Sequence, residues 1–236
     1  MARVRVHGEA KGHATEVAAS IPMSFGFARN TYIYPLRGVS YVGAGASFHT
    51  THRWAVPEEF GLDIAKIGEN GLTHRGAGTS FDEYYAYGAD VLAVADGHVV
   101  TAVDGVAEDP AAMQRPDEAQ EAYFARVQQD QSKRIEGGSI VGNCVIIDHG
   151  RGEYSLSAHL QSGSVRVKNG DSVKSGDVIG KLGSSGNSTE PHLHFQLTDR
   201  GESVLAAGIP INFSNISIQW AEAPRPLQSG DIVVAK

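Results

Sequence analysis

Residues 191–197, PHLHFQL, constrain this chain more than any other stretch. Read at a period of two, Leu193, Phe195 and Leu197 point to one side of a strand, and His192, His194 and Gln196 to the other. One side is core. The two imidazoles share the opposite side, with Cβ atoms roughly 6.5 to 7 Å apart at a strand rise of ~3.3 Å per residue. One can then hold a metal while the other works on whatever the metal holds. The plainer alternative, a strand with two surface histidines, fits less well because His is not a favoured strand filler and the opposite face is so apolar.

A strand of this kind needs partners. The 236 residues contain 28 glycines, which suits many tight turns and a mainly β fold with enough chain to bury a full core. The expected architecture is a two-sheet sandwich or flattened barrel. Its organisation reads as an N-terminal extension over residues 1–35, a main domain over 36–214 carrying a helical insertion at about 108–136, and a C-terminal extension over 215–236 packed on the domain. The net charge of -7, without a Lys/Arg stripe, argues against nucleic acid as a partner. The single cysteine, Cys144, sits in NCVIID and reads as a small buried hydrophobe. No run reaches the ~18 apolar residues of a membrane span, and the first residues lack the apolar stretch of a secretory leader.

Taken in order, ARVRVHGEA alternates like an exposed edge strand, with His7 and His13 expected in solvent. Residues 34–54 read as turn-rich and carry His49 and His52. In EEFGLDIAKI, alternation puts Phe60, Leu62 and Ile64 on a core face, and Asp63 between the small residues Gly61 and Ala65 on the other. A carboxylate in an apolar strand needs a compensating charge, and a metal supplies one. Residues 68–88 form a glycine-rich loop with a second pair, His74 and Asp82. DVLAVADGHVVTAV reads as two strands joined by an Asp96-Gly97 hairpin. Pro116, the acidic residues after it and Lys133-Arg134 mark a helix that starts near 116, either a surface helix or a wall beside a groove. In YSLSAHL, alternation assigns Tyr154, Leu156, Ala158 and Leu160 to one face, and Ser155, Ser157 and His159 to the other. The Gly-Asp pairs at 170–171 and 176–177 echo residues 88–100 and suggest duplicated β units.

FGLDI, GADVLAVADGHVV, GNCVIIDHGRGEYSLSAHL and NGDSVKSGDVIGKLGSSGNSTEPHLHFQL together resemble the M23 metalloendopeptidases, the lysostaphin and LytM-like group. The resemblance implies a two-sheet β fold with a groove, one Zn2+ ion, and hydrolysis of peptide bonds in bacterial peptidoglycan. It implies that His194 and Asp63 are zinc ligands, and that His159 and His192 are the catalytic histidines. The family's His-x-x-x-Asp motif is broken, because Glu59 stands four residues before Asp63. The first ligand is therefore expected farther back: His52, with His49 next and the His74/Asp82 pair third. Glu59 shares parity with Asp63 and stays open as a direct ligand.

Two imidazoles and a carboxylate suit tetrahedral zinc with a fourth position for water. The glutamate-bearing HExxH helix is absent, so acid–base work falls to histidine. Two other readings stand beside this one: a histidine phosphocarrier of similar fold, and a non-catalytic binding module. Asp63 speaks against the first, since a carboxylate repels a phosphohistidine, and a nearly full ligand set against the second. A cell-wall substrate implies a secreted or periplasmic protein whose leader is not in this sequence; a cytoplasmic one stays open here.

Overall fold

The computed structural model describes residues 2–10, 13–21, 27–46, 50–115, 117–136, 140–202 and 205–236. The protein is mainly β. In chain order the strands are β1 (Ala2–Ala10), β2 (His13–Ile21), β3 (Gly38–Ala44), β4 (Leu62–Lys66), β5 (Asp90–Leu92) and β6 (Gly97–Val103). Helix α1 (Gln120–Glu136) follows, then β7 (Asn143–Asp148), β8 (Tyr154–Leu160), β9 (Ser172–Val173), β10 (Val178–Lys181), β11 (Leu193–Thr198), β12 (Ile216–Ile218) and β13 (Ile232–Ala235). Nine strands form one sheet in the order β12-β13-β3-β4-β11-β8-β7-β6-β9, while β5 pairs with β10 and β1 with β2. Every pairing between these strands is antiparallel. The expected solvation of His7 and His13 concerns side chains outside the described residues. No helix among the described residues is long and apolar enough to cross a membrane.

The core lies on one face of the large sheet. Leu193, Phe195 and Leu197 of β11 meet Leu62 and Ile64 of β4 there, closed over by Tyr32, Tyr34, Leu36, Val91 and Ile179. The three β11 side chains are at most 1% exposed. Their burial contributes on the order of 5 to 9 kcal/mol, and a one-residue slip would exchange them for two histidines and a glutamine, so the register is firmly set. Tyr32 and Tyr34 enter this core from the N-terminal side of the expected boundary at residue 36. Tyr32 is tied down by Glu153, whose carboxylate accepts from the Asn30 amide groups and the Tyr32 hydroxyl, while Tyr34 N–H donates to Asn215 Oδ1.

Three expectations are corrected. The Asp96-Gly97 pair does not close a hairpin: β5 pairs with β10, and β6 with β7 and β9. Instead the two echoing units interlock about Ala93 and Val99. Ala93 N–H donates to Asp177 O and Val99 N–H to Asp171 O, while Gly176 and Gly170 N–H groups donate back to Ala93 O and Val99 O. Long-range pairing between copies has outcompeted the local turn. In both Gly-Asp pairs of the later unit the glycine takes a left-handed φ, +90° at Gly170 and +89° at Gly176, and the following Asp carboxylate accepts the N–H three residues back. The turn-rich passage hides a strand, β3, which gains its order from β4 and β13 rather than from its own sequence. Helix α1 begins at Gln120, not near 116, because Asp117 has φ +62° and cannot continue an α-helix; Pro116 itself lies outside the described residues. The segment before the helix is held by Arg126, which clasps the Glu118 carboxylate with two N–H groups and donates to Ala111 O and Met113 O.

Candidate metal centre

On the face of the large sheet away from the core lies a groove of about 410 Å3. Its floor is built by three adjacent strands. In β11, His194 and Gln196 point into it with His192 just before them. β4 runs alongside with Asp63 directly opposite His194, so both side chains stand on one face. On the other flank, β8 sets Ala158 opposite His194.

His159 reaches the groove by a different route. Ala158 shares the groove face with Leu156, which leaves the next residue pointing to the core by strict alternation. At this point two residues of β8, Ala158 and His159, stand against the single Cys144 of β7, a β-bulge in which His159 takes φ +61°. The bulge turns His159 into the groove and returns Leu160 to the main core. The face assignment of Ser155 and Ser157 with His159 is thus overturned. It is the backbone kink that brings His159 to the groove.

His52 comes from the 3-10 turn Thr51–Trp54, which replaces the short family spacing before Asp63. Its Nε2 lies 3.3 Å from Asp63 Oδ2, and His194 Nδ1 lies 3.0 Å from Asp63 Oδ1. One nitrogen or oxygen from each of His52, Asp63 and His194 falls within 4.8 Å of the others. Gly61 makes room for this convergence: a Cβ there would stand 3.4 Å from both His52 Nδ1 and His194 Cε1 and 3.0 Å from Glu58 O. His192 and His159 face the same space, with Nε2 of His192 3.6 Å from Asp63 Oδ1 and the His159 and His192 rings 4.9 Å apart.

The protons of these last two rings are fixed by backbone carbonyls of the turn over residues 183–190. His159 Nδ1 is 2.9 Å from Ser185 O and His192 Nδ1 is 2.8 Å from Glu190 O, so each Nδ1–H donates and each Nε2 is left as an acceptor toward the groove. The turn is braced in turn by Glu108, which accepts from Ser184 N–H and the Tyr87 hydroxyl, and by the Ser185 hydroxyl, which donates to Leu160 O. Nothing in the Gly- and Ser-rich sequence of this turn marks its carbonyls as orienting groups.

Charge follows geometry. Burial alone would raise the Asp63 pKa, but the charge His192 carries when protonated and hydrogen bonds from His194 and His52 outweigh it, holding the carboxyl well below its ordinary range. Burial likewise opposes charging of His194, yet its hydrogen bond to Asp63 prevails and lifts its pKa to about 9. His159 has no such partner. Burial and the neighbouring charges of His192 and His194 push its pKa well below the ordinary value, so it is neutral near pH 7. With no cation, the Asp63 carboxylate is thus balanced by a proton on His194. That donor set, two imidazoles and a depressed carboxylate facing open space, fits a borderline divalent ion with a free coordination position.

The other candidates go elsewhere. His49 lies outside the described residues. His74 makes a 3.2 Å contact through Nδ1 with Gly76 O and packs on Tyr84; neither it nor Asp82 joins the groove. Glu59 pairs with Arg53 at 3.2 Å rather than with the Asp63 cluster. The insertion supplies one wall, with Val127 of α1 and Ile140 lining the groove.

Residues 76–206 match the model of the family described as Peptidase family M23. That span includes His159, His192 and His194 and begins after Asp63. Among curated proteins the chain is similar to the DD-carboxypeptidase/endopeptidase Mpg of Neisseria meningitidis serogroup B, 44% identical over 63 residues, 27% of this chain and 14% of that protein. It is also similar to the peptidoglycan DD-endopeptidase ShyA of Vibrio cholerae, 42% identical over 72 residues, 30% of this chain and 16% of that protein. The matched segment is thus under a fifth of either relative's length. Among solved structures it aligns with the catalytic domain of the antimicrobial peptidase lysostaphin from Staphylococcus simulans at 20% identity and a TM-score of 0.38, covering 73% of this chain and 88% of that one.

Proposed function

The chain belongs to peptidase family M23, and from this we propose that it is a zinc-dependent endopeptidase that hydrolyses peptide bonds of bacterial peptidoglycan, in stem peptides or cross-bridges. The observation that carries the reading is the convergence of His52, Asp63 and His194 within 4.8 Å on a groove that two further imidazoles also face. In it, His52, Asp63 and His194 hold the ion, and His159 and His192 are catalytic. Zinc, when bound, supplies Lewis acidity that polarises a carbonyl and acidifies a water.

The protein's own groups account for the proton movements. His159 and His192 each rest Nδ1 on a backbone carbonyl, which turns Nε2 toward the groove. One accepts a proton from the attacking water and delivers it to the leaving amine, so the bond between carbonyl carbon and nitrogen breaks with no net change in the enzyme. The depressed pKa of His159 keeps it free to accept near neutral pH. Once protonated, either imidazole stabilises the developing oxyanion, worth ~10² to 10³ in rate. The apolar wall of Val127 and Ile140 favours an extended peptide lying along the groove.

The name of the Vibrio cholerae relative, a peptidoglycan DD-endopeptidase, supports peptidoglycan as substrate, and an enzyme with that substrate works outside the cytoplasm. Dye-labelled peptidoglycan sacculi test the reading: soluble dye is released by the wild type, abolished by a chelator and restored by zinc. Sacculi bound without release would instead make the protein a binding module. A protein that turns over phosphoryl groups and ignores sacculi would be a phosphocarrier.

A further inference from the structure

We propose that Gln196 is a positioning residue of the metal centre, whose side-chain oxygen holds His194 with its proton on Nε2 and so turns the Nδ1 lone pair toward the ion. The inference rests on the metal-binding reading of His52, Asp63 and His194.

Gln196 is 2% exposed and sits in β11 between the core residues Phe195 and Leu197, where a polar side chain is disfavoured. Its Oε1 lies 2.9 Å from His194 Nε2. An amide oxygen only accepts, so that nitrogen must donate, and a neutral imidazole has one N–H to give. Nδ1 is then the atom left to coordinate, and it is the nitrogen 3.0 Å from Asp63 Oδ1.

The rest of the Gln196 side chain gains little. Its amide nitrogen is buried without a hydrogen-bond partner among the described residues. An apolar residue of similar size would avoid that orphaned donor, so stability does not explain a glutamine here. Holding His194 does.

The other three imidazoles of the groove each face a backbone carbonyl through Nδ1: His52 faces Gly61 O, His159 faces Ser185 O, and His192 faces Glu190 O with the Ser188 hydroxyl beside it. Both ring nitrogens of His194 face side chains, Asp63 and Gln196, so its tautomer is open to a point substitution.

The experiment compares wild type, Gln196→Met and Gln196→Glu in the full chain, measuring zinc affinity by competition with a chromophoric chelator at fixed pH. It adds the visible spectrum of the Co2+-loaded proteins and thermal unfolding of the metal-free ones. Methionine keeps the bulk and removes the acceptor; glutamate keeps the acceptor. The expected result is zinc binding weakened 10- to 100-fold in Gln196→Met, with an altered Co2+ spectrum and metal-free unfolding at or above the wild-type temperature. Gln196→Glu should bind within about threefold of wild type. Gln196→Met binding as tightly as wild type, with the same Co2+ spectrum, would overturn the positioning role while leaving the metal site intact. Equal losses in both variants, accompanied by lowered metal-free unfolding temperatures, would also overturn it in favour of a packing role. If the wild type itself takes up no zinc, the metal reading falls and this inference with it.

Discussion

β11 and β8 lie side by side, and each delivers a histidine to the same groove, but by opposite means. In β11 the pleat alone does it: His194 points out because Leu193 and Phe195 point in. In β8 the pleat points the wrong way, and a bulge with His159 at φ +61° corrects it. A residue placed by alternation is held by core packing on its neighbours, whereas one placed by a bulge is held by a strained backbone and the hydrogen bonds around it. The two histidines differ in charge for the same reason. His194 lands opposite Asp63 and is drawn toward the charged form, while His159 is buried with no carboxylate of its own and is kept neutral.

The sharpest break in this comparison is in activity. His194→Ala should leave no detectable turnover, since it removes a donor from the cluster. His159→Ala and His192→Ala should retain metal and lower kcat by about 10² to 10⁴, the usual worth of a positioned acid or base. Steady-state kinetics on a defined cross-linked peptide separates these outcomes. Wild-type-like turnover in His159→Ala would mean that the bulge serves the fold and not the reaction.

A second contrast lies in how the metal-free protein responds to pH. His194 has its pKa raised from 6.5 to about 9 on folding, so its stabilisation is complete below about 6.5 and is lost as pH rises through 9. His159 is depressed, so it costs nothing above about 6.5 and destabilises the fold as pH falls below that value. Asp63 adds a further acid-side loss, since its stabilisation is present above about 3.8 and disappears as pH falls through its depressed folded value. Calorimetry after chelation should find the highest Tm near pH 6 to 7. His194→Ala should flatten the alkaline limb, and His159→Gln should soften the acid one. A wild-type Tm unchanged between pH 6.5 and 9.5 would contradict the His194–Asp63 pairing.

The smallest effect is also the most specific to the backbone. At position 159 a glycine relieves the left-handed strain, so His159→Gly should be more stable than His159→Ala by about 1 kcal/mol. At position 192, which has no positive φ, the order should reverse, with His192→Gly the less stable by about 0.5 to 1 kcal/mol. Denaturant unfolding of the four variants reads both differences. The same sign at both positions would mean that the bulge carries no strain.

The same contrast explains what could be read from the sequence. The faces of β11 and β4 follow from alternation, so Asp63 and His194 were legible as residues of one face away from the core. β3 was not, because its order is conferred by β4 and β13, which lie far from it along the chain. Asp96-Gly97 misled because a strong local turn signal lost to pairing between the duplicated units. His159 reached its expected place by an unexpected path: alternation mis-stated the pleat of β8, and the bulge restored the histidine to the groove. The proximity of His52 to Asp63 depends on two 3-10 turns and on the missing side chain of Gly61, features that spacing alone does not reveal.

The central claim is that His52, Asp63 and His194 together hold one ion. Metal content by mass spectrometry on purified wild type, His52→Ala, His74→Ala and His194→Ala tests it most directly. Close to one zinc per chain is expected in the wild type and in His74→Ala, and none in His52→Ala or His194→Ala. Zinc retained in His52→Ala and lost in His74→Ala would contradict it.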